Sequence, residues 1–145
     1  MKTMIFLFGL FLSISTFAQE VGSSRIPADV TNAFEAKYQG ADLDDWEFSE
    51  ESGFYQAEFE MDRKEYEAYF TSDGEWIYTE RDIDKSELPQ AVSDALQNSE
   101  YSDWEIDDVE EHDTAANGLI YEIELEKSGQ NNMYLYYSPE GEQIK

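Results

Sequence analysis

The chain contains no cysteine and only one histidine, His112, among its 145 residues. Without cysteine it can form no disulfide, no thiolate metal site and no thiol nucleophile, and it has no residue for lipid attachment. Its stability must therefore come from packing alone. His112 lies in the polar run Glu110-Glu111-His112-Asp113, which predicts a solvated loop histidine, with a metal ligand as the alternative.

Positive charge is also scarce. Nine Lys and Arg residues stand against 34 Asp and Glu, so the formal net charge is −25 at pH 7. Such a charge repels nucleic acid and anionic membrane surfaces and favours cationic partners or metal ions. High acidity can accompany disorder, but aromatic residues make up 15% of the chain and indicate a packed core.

A long hydrophobic run occurs only near the N-terminus. Residues 1–18 have the pattern of a signal peptide, with Lys2, an apolar run from Met4 to Leu12, and small residues that end at Ala18. The run is shorter than the roughly 20 residues that span a bilayer, which makes a retained anchor the weaker alternative. We expect cleavage, a flexible N-terminus over residues 19–25, no membrane insertion, and a soluble periplasmic or secreted protein.

The sequence repeats itself in order. Four blocks, 26–34, 45–48, 55–60 and 69–75, return as 88–96, 103–106, 121–126 and 136–142. An ordered duplication predicts two copies of one structural unit. We place these copies at residues 26–81 and 88–145, with residues 82–87 as the connector.

Each copy predicts one helix followed by four strands. Pro27 and Pro89 suit the first turn of a helix, and apolar residues follow at helical spacing. The pattern then alternates with a period of two, as in 55–61 and 121–126, which is typical of antiparallel strands with one buried face. Two such units placed edge to edge would form one larger antiparallel sheet with both helices on one face, an α+β fold.

Three motifs carry a family resemblance. They are the Pro-x-x-Val-x-x-Ala-[Phe/Leu] helices at Pro27 and Pro89, the Asp-Trp-Glu strands at Trp46 and Trp104, and the hairpins that end in Asp/Glu-Gly-Glu. Across residues 26–145 the chain resembles the periplasmic PepSY-like family, which is described as similar in fold to the beta-lactamase inhibitor protein. The resemblance implies this fold and, by analogy alone, an inhibitory role. It carries over no functional residue, because the matching positions build the core.

The residues offer little catalytic chemistry. The serines lack a nucleophile-elbow context, and there is no glycine-rich phosphate loop. Pairs of carboxylates are abundant among 34 acids, so any one pair resembles a glycosidase dyad by chance. We therefore expect a protein that is not an enzyme and needs no cofactor.

Calcium binding is the alternative function. Acidic residues concentrate around the predicted first strand of each copy, at Asp42, Asp44 and Asp45 and again in 107–111. Calcium prefers such hard oxygen ligands, although neither run has the residue order of an EF-hand loop. The competing interpretation is solvated charge beside a strand.

An aromatic and acidic surface gives the main functional hypothesis. Aligning Ile77 with Ile144 makes Ile77 buried and turns Trp76 and Tyr78 outward. The same predicted face also carries Tyr69, Tyr134 and Tyr136, interleaved with glutamates. Tyr and Trp dominate binding hot spots, so these five residues predict a docking face for a protein with basic and apolar surface. The alternative is structural, since aromatic residues favour strands and pair across them.

Overall fold

A computed structural model describes residues 19–20 and 25–144. The predicted signal peptide, residues 1–18, lies outside the described residues. Within the described part, no helix has the length and apolar character needed to cross a membrane. Residues 19–25 were predicted to be flexible, but Gln19–Glu20 form a short strand that pairs with Phe48 and Glu47.

The described residues form one antiparallel sheet whose nine strands follow chain order. The strands are β1 (Gln19–Glu20), β2 (Asp42–Phe48), β3 (Tyr55–Met61), β4 (Lys64–Phe70), β5 (Trp76–Asp82), β6 (Glu105–Thr114), β7 (Gly118–Glu126), β8 (Met133–Tyr137) and β9 (Gln143–Ile144). Helix α1 (Ala28–Lys37) precedes β2, and a 3-10 turn (Lys85–Glu87) and helix α2 (Gln90–Gln97) precede β6. The predicted α+β class is confirmed.

The order of one helix and four strands thus occurs twice, and the β5–β6 ladder joins the two halves. Both helices cover the same side of the sheet, which we call the inner face. In β5, Thr79 opposes Ala68, which lies under α1. Arg81 lies on the same face of β5 and opposes Glu111. Glu111 in turn opposes Tyr121, which lies under α2. An origin of the two halves in a sequence duplication stays a prediction.

Each half has its own apolar cluster on the inner face. Under α1 the rings of Phe34 and Phe59 meet edge to face with centroids 5.2 Å apart. Under α2 the cluster is mainly aliphatic and is centred on Val92, Ile123 and Leu125, which are fully buried. Burying each such side chain contributes roughly 1.5–3 kcal/mol, so the stability of the two halves depends on these helix–sheet contacts.

The predicted acidic loops are strands in the structure. β6 continues through residues 107–111 to Thr114 and includes His112, so the prediction of a loop there is wrong. β2 begins at Asp42, which places Asp42, Asp44 and Asp45 on a strand as well. The apolar alternation that marks a strand is interrupted in both segments, because a β-bulge adds one residue to each strand, Asp44 in β2 and Asp107 in β6.

Two glycines hold the hairpin turns of β4–β5 and β8–β9 against the helices. Gly74 and Gly141 have φ of 79° and 82°, a conformation that side chains disfavour. A Cβ at Gly74 would lie 2.5 Å from the carbonyl oxygen of Asp29 in α1, and a Cβ at Gly141 would collide with the carbonyl of Ala91 in α2. Each helix therefore begins against a turn that only glycine fits.

We expect Gly74→Ala and Gly141→Ala each to lower the free energy of unfolding by at least about 2 kcal/mol, since a backbone clash adds to the conformational strain. Gly53→Ala is the matched control, because Gly53 also has positive φ (73°) but no atom within 4 Å of a new Cβ. It should cost only about 1 kcal/mol. Urea denaturation measures all three variants, and equal losses at the three positions would contradict the role assigned to the turns.

Candidate functional site

The face of the sheet opposite the helices, which we call the outer face, carries a regular array of acids and tyrosines. Across the strands, Glu58 opposes Glu67, Glu67 opposes Glu80, and Glu80 opposes His112. The neighbouring rows continue the array with Gln56, Tyr69 and Tyr78 on one side and with Glu110, Glu122 and Tyr136 on the other. The alternation of the strands therefore collects polar side chains from both halves on one surface.

His112 lies at the centre of this array. The residue is 5% exposed, and its Nε2 lies 2.7 Å from Oε2 of Glu110. The same Nε2 lies 3.6 Å from Oε2 of Glu80 and 3.8 Å from Oε2 of Glu122. His112 is thus a buried histidine surrounded by carboxyl groups from three strands, and the prediction of a solvated loop histidine is wrong.

Burial changes the protonation of this cluster. Burial raises the pKa of Glu80 to about 8, although the hydrogen bond from Tyr69 and the charge of His112 act in the opposite direction. Burial alone lowers the pKa of His112, but the hydrogen bond to Glu110 and the nearby carboxylates outweigh it and raise that pKa. Burial also raises the pKa of Glu122. The cluster therefore retains protons at neutral pH, which limits the repulsion among its acids.

The contacts of Tyr69 agree with a protonated Glu80. The Tyr69 hydroxyl oxygen lies 2.7 Å from Oε2 of Glu67 and 2.6 Å from Oε1 of Glu80. A hydroxyl has a single hydrogen, so it satisfies both contacts at once only if one of the carboxyl groups also supplies a hydrogen. Glu80, with its raised pKa, is the group suited to do so.

Tyrosine side chains pack beside the acids on the outer face. The Tyr78 ring stacks on Tyr69 with centroids 4.2 Å apart and on the His112 ring at 5.8 Å. In the second half the Tyr134 hydroxyl donates to Oε1 of Glu124 at 2.8 Å, and Tyr136 hydrogen-bonds to Glu122. The outer face is consequently an ordered layer whose tyrosines and carboxyl groups fix each other's positions.

The structure brings four of the five predicted docking residues to this face. Tyr69, Tyr134 and Tyr136 are partly exposed there, whereas Tyr78 is only 9% exposed between its two stacking partners. Alternation with apolar residues along β4 and β8 was sufficient to place Tyr69, Tyr134 and Tyr136. Tyr78 was placed by aligning Ile77 with Ile144, although Ile77 is only partly buried. His112, Glu80 and Glu110 were missed as a group, because no sequence signal shows that β5 and β6 bring them together.

Trp76 lies on the inner face instead, so its predicted outward position is wrong. A β-bulge makes Phe70 oppose Trp76 while Tyr69 opposes Tyr78, and the extra residue Ile77 reverses the alternation. Ile77 is accordingly only partly buried. Trp76 packs against the α1 cluster, donates from Nε1 to Thr79 Oγ1 at 2.9 Å, and has Lys37 Nζ 3.5 Å from its ring centroid.

The predicted calcium ligands are not gathered into one site by the described structure. Asp42 and Asp44 are exposed on β2, and Asp44 is the bulged residue opposite β3. Among the described residues, two other sets bring three ligand-type atoms within 4.8 Å of one another: Glu80, Glu110 and His112, and Asp82, Asp108 and Glu110. Calcium binding by Asp42, Asp44 and Asp45 stays a prediction without support from this geometry.

Residues 53–145 match the family described as "Putative beta-lactamase-inhibitor-like, PepSY-like". The chain belongs to the PepSY-like family. No curated protein matches it. The resemblance stated from the sequence motifs is confirmed, and the PepSY-like match includes β3 to β9 and therefore most of the outer face.

Three crystal structures from Bacteroides species are similar to this PepSY-like chain. A DUF2874 family protein from Bacteroides uniformis is 28% identical, with a TM-score of 0.72 over 82% of this chain and 86% of that chain. A BLIP-like protein from Bacteroides fragilis is 25% identical, with a TM-score of 0.72 over 82% and 84%. A protein from Bacteroides eggerthii described as "putative periplasmic proteins" is 28% identical, with a TM-score of 0.69 over 82% and 86%. These likenesses support the PepSY-like fold.

The buried cluster predicts that stability of this PepSY-like protein falls as pH rises. The folded pKa values of Glu80 and His112 are both raised. Each group therefore stabilises the fold fully below its unfolded pKa and loses that contribution as pH rises through its folded pKa, which is about 8 for Glu80. Between pH 5 and pH 9 we expect the unfolding free energy from urea denaturation to fall by on the order of 1–3 kcal/mol.

Glu80→Gln isolates the buried carboxyl in that experiment, because glutamine keeps the shape and cannot ionise. We expect this variant to lose less stability over the same pH range than the wild type. Glu50→Gln, in an exposed turn, is the matched control and should keep the wild-type slope. A Glu80→Gln slope equal to that of the control would contradict the protonation assigned to the cluster.

Trp76 should contribute to stability. Since its ring packs against the α1 cluster, Trp76→Ala is expected to lower the free energy of unfolding by about 2–4 kcal/mol. Leu119→Ala, at an exposed apolar position, should change it by no more than about 0.5 kcal/mol. Thermal and urea denaturation measure both variants, and a Trp76→Ala variant as stable as Leu119→Ala would restore Trp76 as a surface residue.

Proposed function

We propose that this chain is a non-enzymatic binding protein of the bacterial envelope that docks a protein partner on its outer face. The observation that carries the proposal is the ordered layer of tyrosines and carboxyl groups on that face, on the side of the sheet that neither α1 nor α2 covers. Membership of a beta-lactamase-inhibitor-like family supports a binding role. The Bacteroides eggerthii relative supports a periplasmic location.

The docking surface differs from the sequence prediction in one residue. Tyr69, Tyr134 and Tyr136 offer partly exposed rings, and Tyr78 holds Tyr69 in place by stacking. Trp76 belongs to the core of the first half and is left out. Preordered rings lose little conformational entropy on binding, which is why tyrosine surfaces suit protein recognition.

The negative charge of the outer face indicates what kind of partner it would bind. The chain carries a formal net charge of −25, and the outer face concentrates acids such as Glu58, Glu67 and Glu124 among its rings. A partner with Lys or Arg beside apolar groups would gain from charge attraction during approach and from cation–π contacts with the tyrosines. The BLIP-like structure from Bacteroides fragilis is the reason to test whether docking inhibits the bound protein.

Affinity capture from the envelope of the producing cell, with and without calcium, tests the proposal. A partner held by the wild type is identified by mass spectrometry, and its Kd is measured with each variant. We expect Tyr134→Ala/Tyr136→Ala to weaken binding at least about tenfold, since hot-spot residues each contribute more than about 1.4 kcal/mol.

Leu43→Ala/Leu119→Ala is the matched control for that measurement. It removes two exposed large apolar side chains, which the strand registers place on the inner-face side of the sheet. Its Kd should equal that of the wild type. A partner lost by the leucine variant and kept by the tyrosine variant would place docking on the inner face and contradict the proposal. Binding only in the presence of calcium would favour the calcium-binding alternative.

A further inference from the structure

The ladder between β4 and β5 ends before either strand does. Glu67 and Glu80 form its last pair, yet β4 begins at Lys64 and β5 continues to Asp82. Beyond that pair, β5 follows β6, with Arg81 opposite Glu111, while Lys64 to Tyr66 remain paired only with β3 among the described strands. The sheet therefore opens between the start of β4 and the end of β5, both in the first half. We call this opening, between residues 64–66 and 81–82, the notch.

The notch is a groove of roughly 680 Å³. Acidic residues dominate its lining: Asp44, Glu58, Glu60, Glu65, Glu67, Glu80, Asp82, Glu87 and Glu110, against the basic residues Arg63, Lys64 and Arg81. Arg81 is already engaged, since its Nε lies 2.9 Å from Oε1 of Glu111. Even with Glu80 protonated, the charge of the lining is strongly negative.

The two properties of the notch select the same kind of ligand. A strand edge without a partner presents backbone N–H and C=O groups that an extended peptide can pair with. Carboxylates on both sides attract lysine and arginine side chains. An extended segment that carries lysine or arginine fits both properties at once.

We propose that the notch receives a short extended segment of the partner, rich in Lys or Arg, which pairs with the edge of β4 at residues 64–66. The inference rests on the proposed function and specifies the form of the partner. The segment enters between the start of β4 and the end of β5, with its cationic side chains among Glu65, Glu67 and Asp82. The tyrosines of the outer face then contact the surface next to it.

The test uses defined peptides and the purified protein. The probe is a ten-residue peptide that alternates lysine with threonine and valine. Its binding is measured from the changes in the backbone amide NMR shifts of the protein. We expect the largest shifts at residues 64–67 and 80–82, and a Kd that rises at least tenfold when alternate peptide amides are N-methylated. N-methylation keeps the charge and side chains but blocks strand pairing.

Two matched variants separate the notch from general acidity. Glu65→Gln/Asp82→Asn removes two charges within the notch, and Glu105→Gln/Glu126→Gln removes two from an exposed pair on the same face outside it. We expect the first variant to weaken peptide binding at least fivefold and the second to leave it within twofold. Equal effects of the two variants would show non-specific cation binding and overturn the inference. Binding of the N-methylated peptide and of spermidine as tight as that of the unmodified peptide would do the same.

The result also distinguishes this inference from the proposed function. One outcome would support the docking face and overturn the notch. In it, the peptide shifts are confined to β7 and β8, and capture of the partner is sensitive to Tyr134→Ala/Tyr136→Ala but not to Glu65→Gln/Asp82→Asn. If neither partner capture nor peptide binding responds to the tyrosine variant or the notch variant, the docking face and the notch are both overturned.

Discussion

The β5–β6 ladder is the interaction on which the other features of this structure depend. Each half has one helix over one side of its strands, so each has a thin apolar cluster. Pairing of Tyr78 to Asp82 with Glu110 to Thr114 turns the two halves into one sheet and protects two edges that would otherwise be open. The same pairing places Glu80, from the first half, opposite His112, from the second.

The outer face and the notch both follow from that ladder. Because Glu80 meets His112, Glu110 and Glu122 where the β5–β6 ladder joins the halves, acids from both halves share one buried cluster. Burial there raises the pKa of Glu80 to about 8. Because β5 follows β6 at its end, it leaves β4, and the notch opens beside the cluster. A binding face next to an open strand edge is thus a consequence of joining two small units through one ladder.

The sequence predicts the inner face well, because period-two alternation reports burial directly. Ala57 and Phe59 in one half, and Ile123 and Leu125 in the other, are buried as expected. The pattern fails where a bulge adds a residue, so Trp76 is displaced to the inner face by Ile77. It also fails for β6, whose acids appear solvated until the tertiary structure brings Glu80 beside His112. Neither the bulge nor the ladder between distant strands has a local signal.

We propose that the outer face, rather than the helix-covered face, contacts the partner. Photo-crosslinking in the intact envelope tests it most directly, with a photoreactive phenylalanine analogue placed at the position of Tyr134 or of Leu119. We expect a covalent adduct with the partner from the Tyr134 position and none from the Leu119 position. An adduct formed only from the Leu119 position would contradict it.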